Sequence, residues 1–171
     1  MNYANLPGPG SYKLVAERIR QVNQRLPCET PHNVDLFHQV DHLWKWLMAC
    51  MSQTLFLNQL KPVSFFTLLM LYSETDGCMT PTFLAECLGE GRSNTTRICD
   101  ELVSKGWICR KKGEEFDRRR VELILTPQGT AMVETQLLRL RELADIAFDP
   151  LDDGERNALG HLLTKLAAFA E

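Results

Sequence analysis

The chain has 171 residues, 44% of them hydrophobic and 24% charged, with a formal net charge of −3. That size suits one compact unit, or a small domain carrying helical arms, and the apolar content suffices for a core. No apolar run approaches the ~20 residues that cross a bilayer, and the amino terminus lacks a charged-then-apolar leader, so the expectation is a cytoplasmic protein with no membrane partner.

Residues 1–10 hold two prolines and two glycines and read as a loose arm. Ser11 to Leu26 carries Leu14, Val15, Arg18, Ile19 and Val22 at the spacing of an amphipathic helix, broken by Pro27 and Pro31. Residues 33–59 predict a long helix with two apolar stripes. Phe37, Val40, Trp44, Leu47 and Met51 form one, and Leu36, Leu43, Trp46 and Cys50 the other. A helix apolar on two sides must be covered on two sides. Lys61-Pro62 ends it, Phe65 to Ser73 predicts a further, mostly buried helix, and Gly77 lies in a turn.

Thr80-Pro81 then opens a short helix, with Thr80 as cap and Pro81 in the first turn, where its missing N–H is not needed. Gly89 can end that helix in a left-handed conformation. A second helix runs from about Ser93 to Lys105, stopped by Gly106. Ile98 and Leu102, four apart, point inward, and Asn94, Arg97 and Glu101 lie on other faces. Two short helices so joined form a helix-turn-helix, whose second helix can enter the DNA major groove. Residues 107–112 and 121–125 read as paired strands, with Val121, Leu123 and Leu125 on one face. The charged loop between them makes the hairpin a basic wing.

Thr126-Pro127 repeats the capping signal. Residues 127–147 predict a helix with Met132, Val133, Leu137, Leu140, Leu143 and Ala144 on its apolar side. Asp149-Pro150 breaks it. Asp152 to Ala170 predicts the last helix, with Leu159, Leu162, Leu163, Leu166 and Phe169 inward. The charge divides unevenly along this order. Residues 92–120 hold nine basic and five acidic residues, a balance of +4 against −7 for the remainder. A basic face on an acidic body meets the demand of local phosphate attraction.

The run LGEGRSNTTRICDELVSKGWICRKKGEEFDRRRVELILTPQG resembles the MarR family of bacterial winged-helix transcription regulators. Asp117, Arg118, Arg119, Leu123, Leu125, Thr126 and Gly129 match its wing signature. Arg92, Asn94, Thr96, Arg97, Ile98, Asp100, Glu101, Leu102, Gly106, Trp107, Ile108 and Arg110 resemble the EmrR type of multidrug-efflux repressor. The resemblance implies a mainly α fold with a small β-hairpin wing, a winged helix-turn-helix flanked by N- and C-terminal dimerisation helices. It divides the chain into residues 1–60 (dimerisation arm and effector-pocket wall), 61–129 (DNA-binding domain) and 130–171 (dimerisation helices).

The implied partners are a double-stranded DNA operator, a second copy of the chain and a small hydrophobic or aromatic effector. Asn94, Thr95 and Arg97 are expected to face base edges or nearby phosphates, and Arg92 and Ser93 to meet phosphates at the helix N-terminus. Thr96, Lys111 and Lys112 join the DNA-facing set. Arg118, Arg119 and Arg120 are expected to bring the wing to the minor groove, with Asp117 positioning the wing by pairing with an arginine. Trp44, Trp46, Met48, Met51, Phe66 and Met70 are the expected effector walls, with Asp41 and His42 as polar handles.

The six cysteines, at 28, 50, 78, 87, 99 and 109, form no Cys-x-x-Cys pair, so they read first as small buried hydrophobes. A redox reading would favour Cys99 or Cys28. His38 and His42 are spaced for one helix face but lack an obvious third ligand, so no metal and no cofactor is expected. Gly89-Glu90-Gly91 lacks the rest of a phosphate-binding loop, and no serine elbow is present, so no enzyme is expected. The leading expectation is a ligand-released repressor of multidrug-efflux or stress genes. The alternatives are a redox- or metal-responsive regulator on the same scaffold and a winged-helix protein-interaction module. The last would not need Asn94, Arg97 and three wing arginines together.

Overall fold

The structure, a computed structural model, describes residues 12–25, 31–75, 77–112 and 121–169. In chain order its elements are α1 (Tyr12–Arg25), α2 (Pro31–Phe56), α3 (Pro62–Ser73), β1 (Cys78–Met79), α4 (Pro81–Leu88) and α5 (Arg92–Ser104), then β2 (Ile108–Lys112), β3 (Val121–Leu125), α6 (Pro127–Phe148) and α7 (Asp153–Phe169). Four of the helices open on a proline or have one at their first position, where its fixed φ favours the helix and no N–H is lost. Pro31 therefore starts α2 instead of merely breaking what precedes it. Pro62 starts α3 three residues before the expected Phe65, behind an extended Lys61.

The expected long helix closes at Phe56, not at residue 59. Its last turn tightens through Asn58 N–H to Leu55 O (3.1 Å) and Gln59 N–H to Phe56 O (2.8 Å). Gln59 then adopts a left-handed φ of 51°, the only non-glycine among the described residues to do so. The sheet has three antiparallel strands in the order β1-β3-β2. Cys78 and Met79 pair with Ile124 and Leu123, and β2 pairs with β3 from Ile108–Leu125 to Lys112–Val121. β1 has no counterpart in the sequence reading, because two residues are too few to show an alternating period.

The core lies under the winged module. Phe65, Leu68 and Leu71 of α3, Leu84 of α4, Ile98 and Leu102 of α5, and Leu123 of β3 are all buried, and Leu55 of α2 and Val133 of α6 close the same cluster. Along α6 the buried line runs through Gly129, Val133, Gln136 and Leu143. Ala144, expected inward, faces solvent. Gln136 takes a core place instead, its Nε2 3.7 Å from Met132 Sδ.

The arms differ in kind. No residue of α7 is buried within its own chain. The expectation that Leu162, Leu163, Leu166 and Phe169 point inward is not met: they stand exposed, Phe169 by 92%. Leu36, Phe37, Val40, Leu43 and Trp44 of α2 are exposed as well. The amphipathic spacing was legible, but spacing does not say whether the covering surface belongs to the same chain.

Candidate nucleic-acid interface

The helix-turn-helix is built by its caps. Thr80 Oγ1 accepts from Phe83 N–H (3.3 Å) to start α4. Gly89, at φ 63°, ends it, and the N–H of Glu90 returns to Ala85 O (3.0 Å). Gly91 caps α5 without a side-chain bond, which leaves the first-turn N–H groups of that helix open toward solvent.

Thr95, Ile98, Cys99 and Leu102 form the buried face of α5. Arg92, Ser93, Thr96 and Arg97 are exposed and Asn94 is half-buried, so these five lie along the outer edge. Thr95 does not face outward as expected. Only 1% exposed, its hydroxyl donates to Gly91 O (3.2 Å), so it packs the helix start against the core. On the outer edge Asn94 Nδ2 donates to Glu90 Oε2 (2.6 Å), and Arg97 Nη2 donates to Asn94 Oδ1 (2.8 Å). Lys111 extends the exposed basic surface on β2. The side chain of Lys112, the wing arginines Arg118, Arg119 and Arg120, and Asp117 lie outside the described residues.

Two sets of ion pairs brace α5. Arg110 of β2 reaches Asp100 at 2.7 Å. Lys105 lies 3.0 Å from Glu101, donates to Gln59 O (2.7 Å) and sits 4.9 Å over the Trp107 ring, with Lys61 at 3.8 Å from the same glutamate. This cluster ties the α2–α3 turn, including the left-handed Gln59, to the outer helix. The hydrogen bond from Lys105 holds the Glu101 carboxyl below the ordinary glutamate range, assisted by the charges of Lys105, Lys61 and Arg97 against a smaller opposing effect of burial. A carboxyl whose pKa falls on folding stabilises above its unfolded value, about 4.3, and loses that contribution as pH falls through the folded one. Glu101→Gln is therefore expected to be less stable than the parent near neutral pH, by up to about 1 kcal/mol for this half-buried pair. The two melting curves should converge in strong acid. A gap that persists there would assign the loss to packing.

Residues 60–121 match the MarR family. The chain carries a MarR family domain. It is 29% identical over 125 residues to the transcriptional repressor MprA of Escherichia coli K12, covering 73% of this chain and 70% of that protein. Over 58 residues it is 41% identical to the multiple antibiotic resistance protein MarR of Salmonella typhimurium, 34% of this chain and 40% of that one. A solved structure of mutant E. coli MarR complexed with operator DNA superimposes with a TM-score of 0.70 at 25% identity, covering 81% of this chain and 98% of that one. AbsC of Streptomyces coelicolor, at 17% identity and a TM-score of 0.73 over 84% of this chain and 95% of that one, shares the fold.

Just beyond the matched residues, the L-x-L-T-x-x-G run joins β3 to α6. Thr126 Oγ1 accepts from Gly129 N–H (3.0 Å) and donates to Gly106 O (2.7 Å), while Thr126 N–H bonds Trp107 O (3.0 Å). One side chain thus caps α6 and pins it to the end of the α5–β2 turn.

The eight expected effector residues do not share one surface. At 100° per residue Asp41, Trp44, Met48 and Met51 lie on one side of α2, and His42 and Trp46 on another. Asp41 is paired with Lys45 at 2.7 Å, and Trp44 is 58% exposed. Met48, Met51, Phe66 and Met70 are half-buried, with Met51 and Met70 packed against the core. Two clefts lie elsewhere. One of about 480 Å³, between α6 and α7, is lined by Phe148, Leu159 and Leu163 with Asp145 and Arg156. The other, of about 390 Å³, runs between α1 and His38 of α2.

Cys99 is buried, and desolvation pushes its thiol up; Arg110 opposes that rise and Asp100 adds to it. Burial likewise raises Cys50. A raised thiol pKa is the reverse of what an oxidant sensor needs. Cys28 lies outside the described residues. Among those described, no three His, Cys, Asp or Glu side chains are grouped to hold a metal, and no helix is long and apolar enough to cross a membrane. Sequence reasoning missed Glu90 and Lys105. Their i, i+4 partners Asn94 and Glu101 were the available signals.

Proposed function

We propose that this chain is a cytoplasmic DNA-binding transcription regulator, acting as a homodimeric repressor at a pseudo-palindromic operator. The observation that carries this reading is the outer edge of α5. Arg92, Ser93, Thr96 and Arg97 stand exposed on a helix locked to the core by Thr95, Ile98, Cys99 and Leu102, beside a basic strand. The wing arginines join this reading on sequence. The similarity to a MarR structure bound to operator DNA supports it, and the names of the repressor MprA and the antibiotic-resistance protein MarR favour multidrug-efflux or stress genes as targets. The exposed apolar stripes of α2 and α7 support pairing with a second copy.

The regulatory part of the proposal is release by a small hydrophobic or aromatic compound, bound where α2 meets α3 and the winged module. Such a compound must prefer a DNA-incompetent arrangement, because equal affinity for both would shift nothing. Met48, Met51, Phe66 and Met70 supply adaptable walls for it there.

A gel shift against DNA upstream of the protein's own coding region tests the reading. A retarded complex is expected at nanomolar protein, weakened by hydrophobic phenols. Two recognition helices on a two-fold axis require half-sites about one helical turn apart. Inserting half a turn between them should therefore abolish high-affinity binding. Undiminished binding to the inserted duplex would overturn the dimeric model.

A further inference from the structure

Glu90, in the turn just before α5, stands at i to Asn94 and Arg97 at i+4 and i+7, so the three meet at the start of the helix. The two hydrogen bonds along it run in one direction, Arg97 Nη2 to Asn94 Oδ1 and Asn94 Nδ2 to Glu90 Oε2. A guanidinium only donates and an ionised carboxylate only accepts. The amide between them has therefore one allowed orientation. Turned over, it would set acceptor against acceptor and donor against donor.

We propose that Glu90 is a positioning residue for base recognition: by fixing the Asn94 amide it anchors Arg97 as the guanine-reading side chain. The proposal rests on the DNA-binding reading above and names what the outer helix reads. Arg97 spends one donor on Asn94 and keeps the rest of its fork on the exposed edge, the geometry that meets guanine O6 and N7 in the major groove. Asn94 is half-buried and has an oxygen and an amide hydrogen already engaged within the protein. Its part is to orient Arg97, leaving the bidentate adenine contact open to an unengaged asparagine to other residues or to none. A carboxylate beside this helix N-terminus repels phosphate, so its presence on a DNA-facing edge calls for a compensating role. Holding the amide supplies one.

The test starts from duplexes enriched by the parent protein from a random-sequence library. Affinities are then measured for the enriched duplex and each of its single-base-pair variants. The parent should prefer guanine at one position per half-site, and Arg97→Ala should lose that preference, a change of about tenfold or more. Glu90→Gln still offers an acceptor oxygen and should keep the preference. Glu90→Lys offers only donors, which turns the amide and repels Arg97. It should bind all sequences more tightly through its added charge yet lose the preference at the same base pair. Adding Arg97→Ala to Glu90→Lys should cause no further loss there.

Circular dichroism melts establish that each variant is folded. A Glu90→Lys protein that keeps the full guanine preference overturns the positioning role, while the DNA-binding reading stands. A parent preference unaffected by Arg97→Ala overturns the assignment of the reader. A parent protein that enriches no sequence overturns the DNA-binding reading and this proposal with it.

Discussion

Gly129→Ala is expected to destabilise the chain by about 3 kcal/mol, the upper range of overpacking. A Cβ at this position would stand 2.1 Å from Trp107 O, 2.8 Å from Leu125 Cδ1 and 3.0 Å from Trp107 C. A side-chain tip could swing aside, but the main obstacle is backbone. That carbonyl is held by Thr126 N–H at 3.0 Å, and Trp107 itself is buried. Relief would require α6 to lift off the hairpin, which breaks the Thr126 cap and uncovers Val133 from the core. For a chain of this size the loss corresponds to a fall in melting temperature of about 10 °C. Gly160→Ala provides the contrast. Its Cβ would meet nothing within 4 Å, and the residue lies inside α7. There alanine should raise helix stability by up to about 1 kcal/mol. Thermal melts of the two variants should move in opposite directions. An unshifted Gly129→Ala melt would mean that the joint is looser than its geometry.

The winged module was legible because its boundaries are written in local chemistry. Thr80-Pro81, Gly89, Gly106 and Thr126-Pro127 each stand where a cap or a left-handed turn is needed, and each takes that conformation or bond. Helical phase was harder. The inward placing of Ile98 and Leu102 was readable from their spacing, yet Thr95 shares their face and was expected to point out. A threonine suits either side, because its methyl packs while its hydroxyl returns to the preceding turn. The left-handed Gln59 was invisible for another reason. It is held by Lys105, 46 residues away, and no local pattern encodes that bond. The same limit hid Arg110–Asp100, a strand-to-helix pair with an ordinary spacing in neither element.

The second large effect concerns the arms. A variant carrying Leu163→Asp and Leu166→Asp is expected to be monomeric and to bind its operator roughly a hundredfold or more less tightly. Both leucines are exposed in the single chain, at 47% and 61%, on a helix with no buried residue. A 17-residue helix with so little cover of its own gains most of its stability from packing an apolar face. Leu163 also lines the cleft between α6 and α7, beside Phe148 and Leu159, so the stripe offers a partner both a ridge and a recess. In the proposed dimer each leucine removed from water contributes about 2 kcal/mol. An aspartate in its place would have to be buried without a partner charge, which costs several kcal/mol more. The winged core does not depend on either residue, since its cluster runs from Leu55 to Val133 and contains nothing of α7. The variant should therefore keep a folded DNA-binding module while losing the linkage of two half-sites, and such linkage accounts for roughly a hundredfold to ten-thousandfold in avidity. Light scattering gives the mass, and a gel shift on one- and two-half-site duplexes gives the affinities. The expected pattern is a monomer that no longer distinguishes the two duplexes. A variant that still has a dimer's mass by light scattering, with operator affinity intact, would show that the pairing surface lies away from α7.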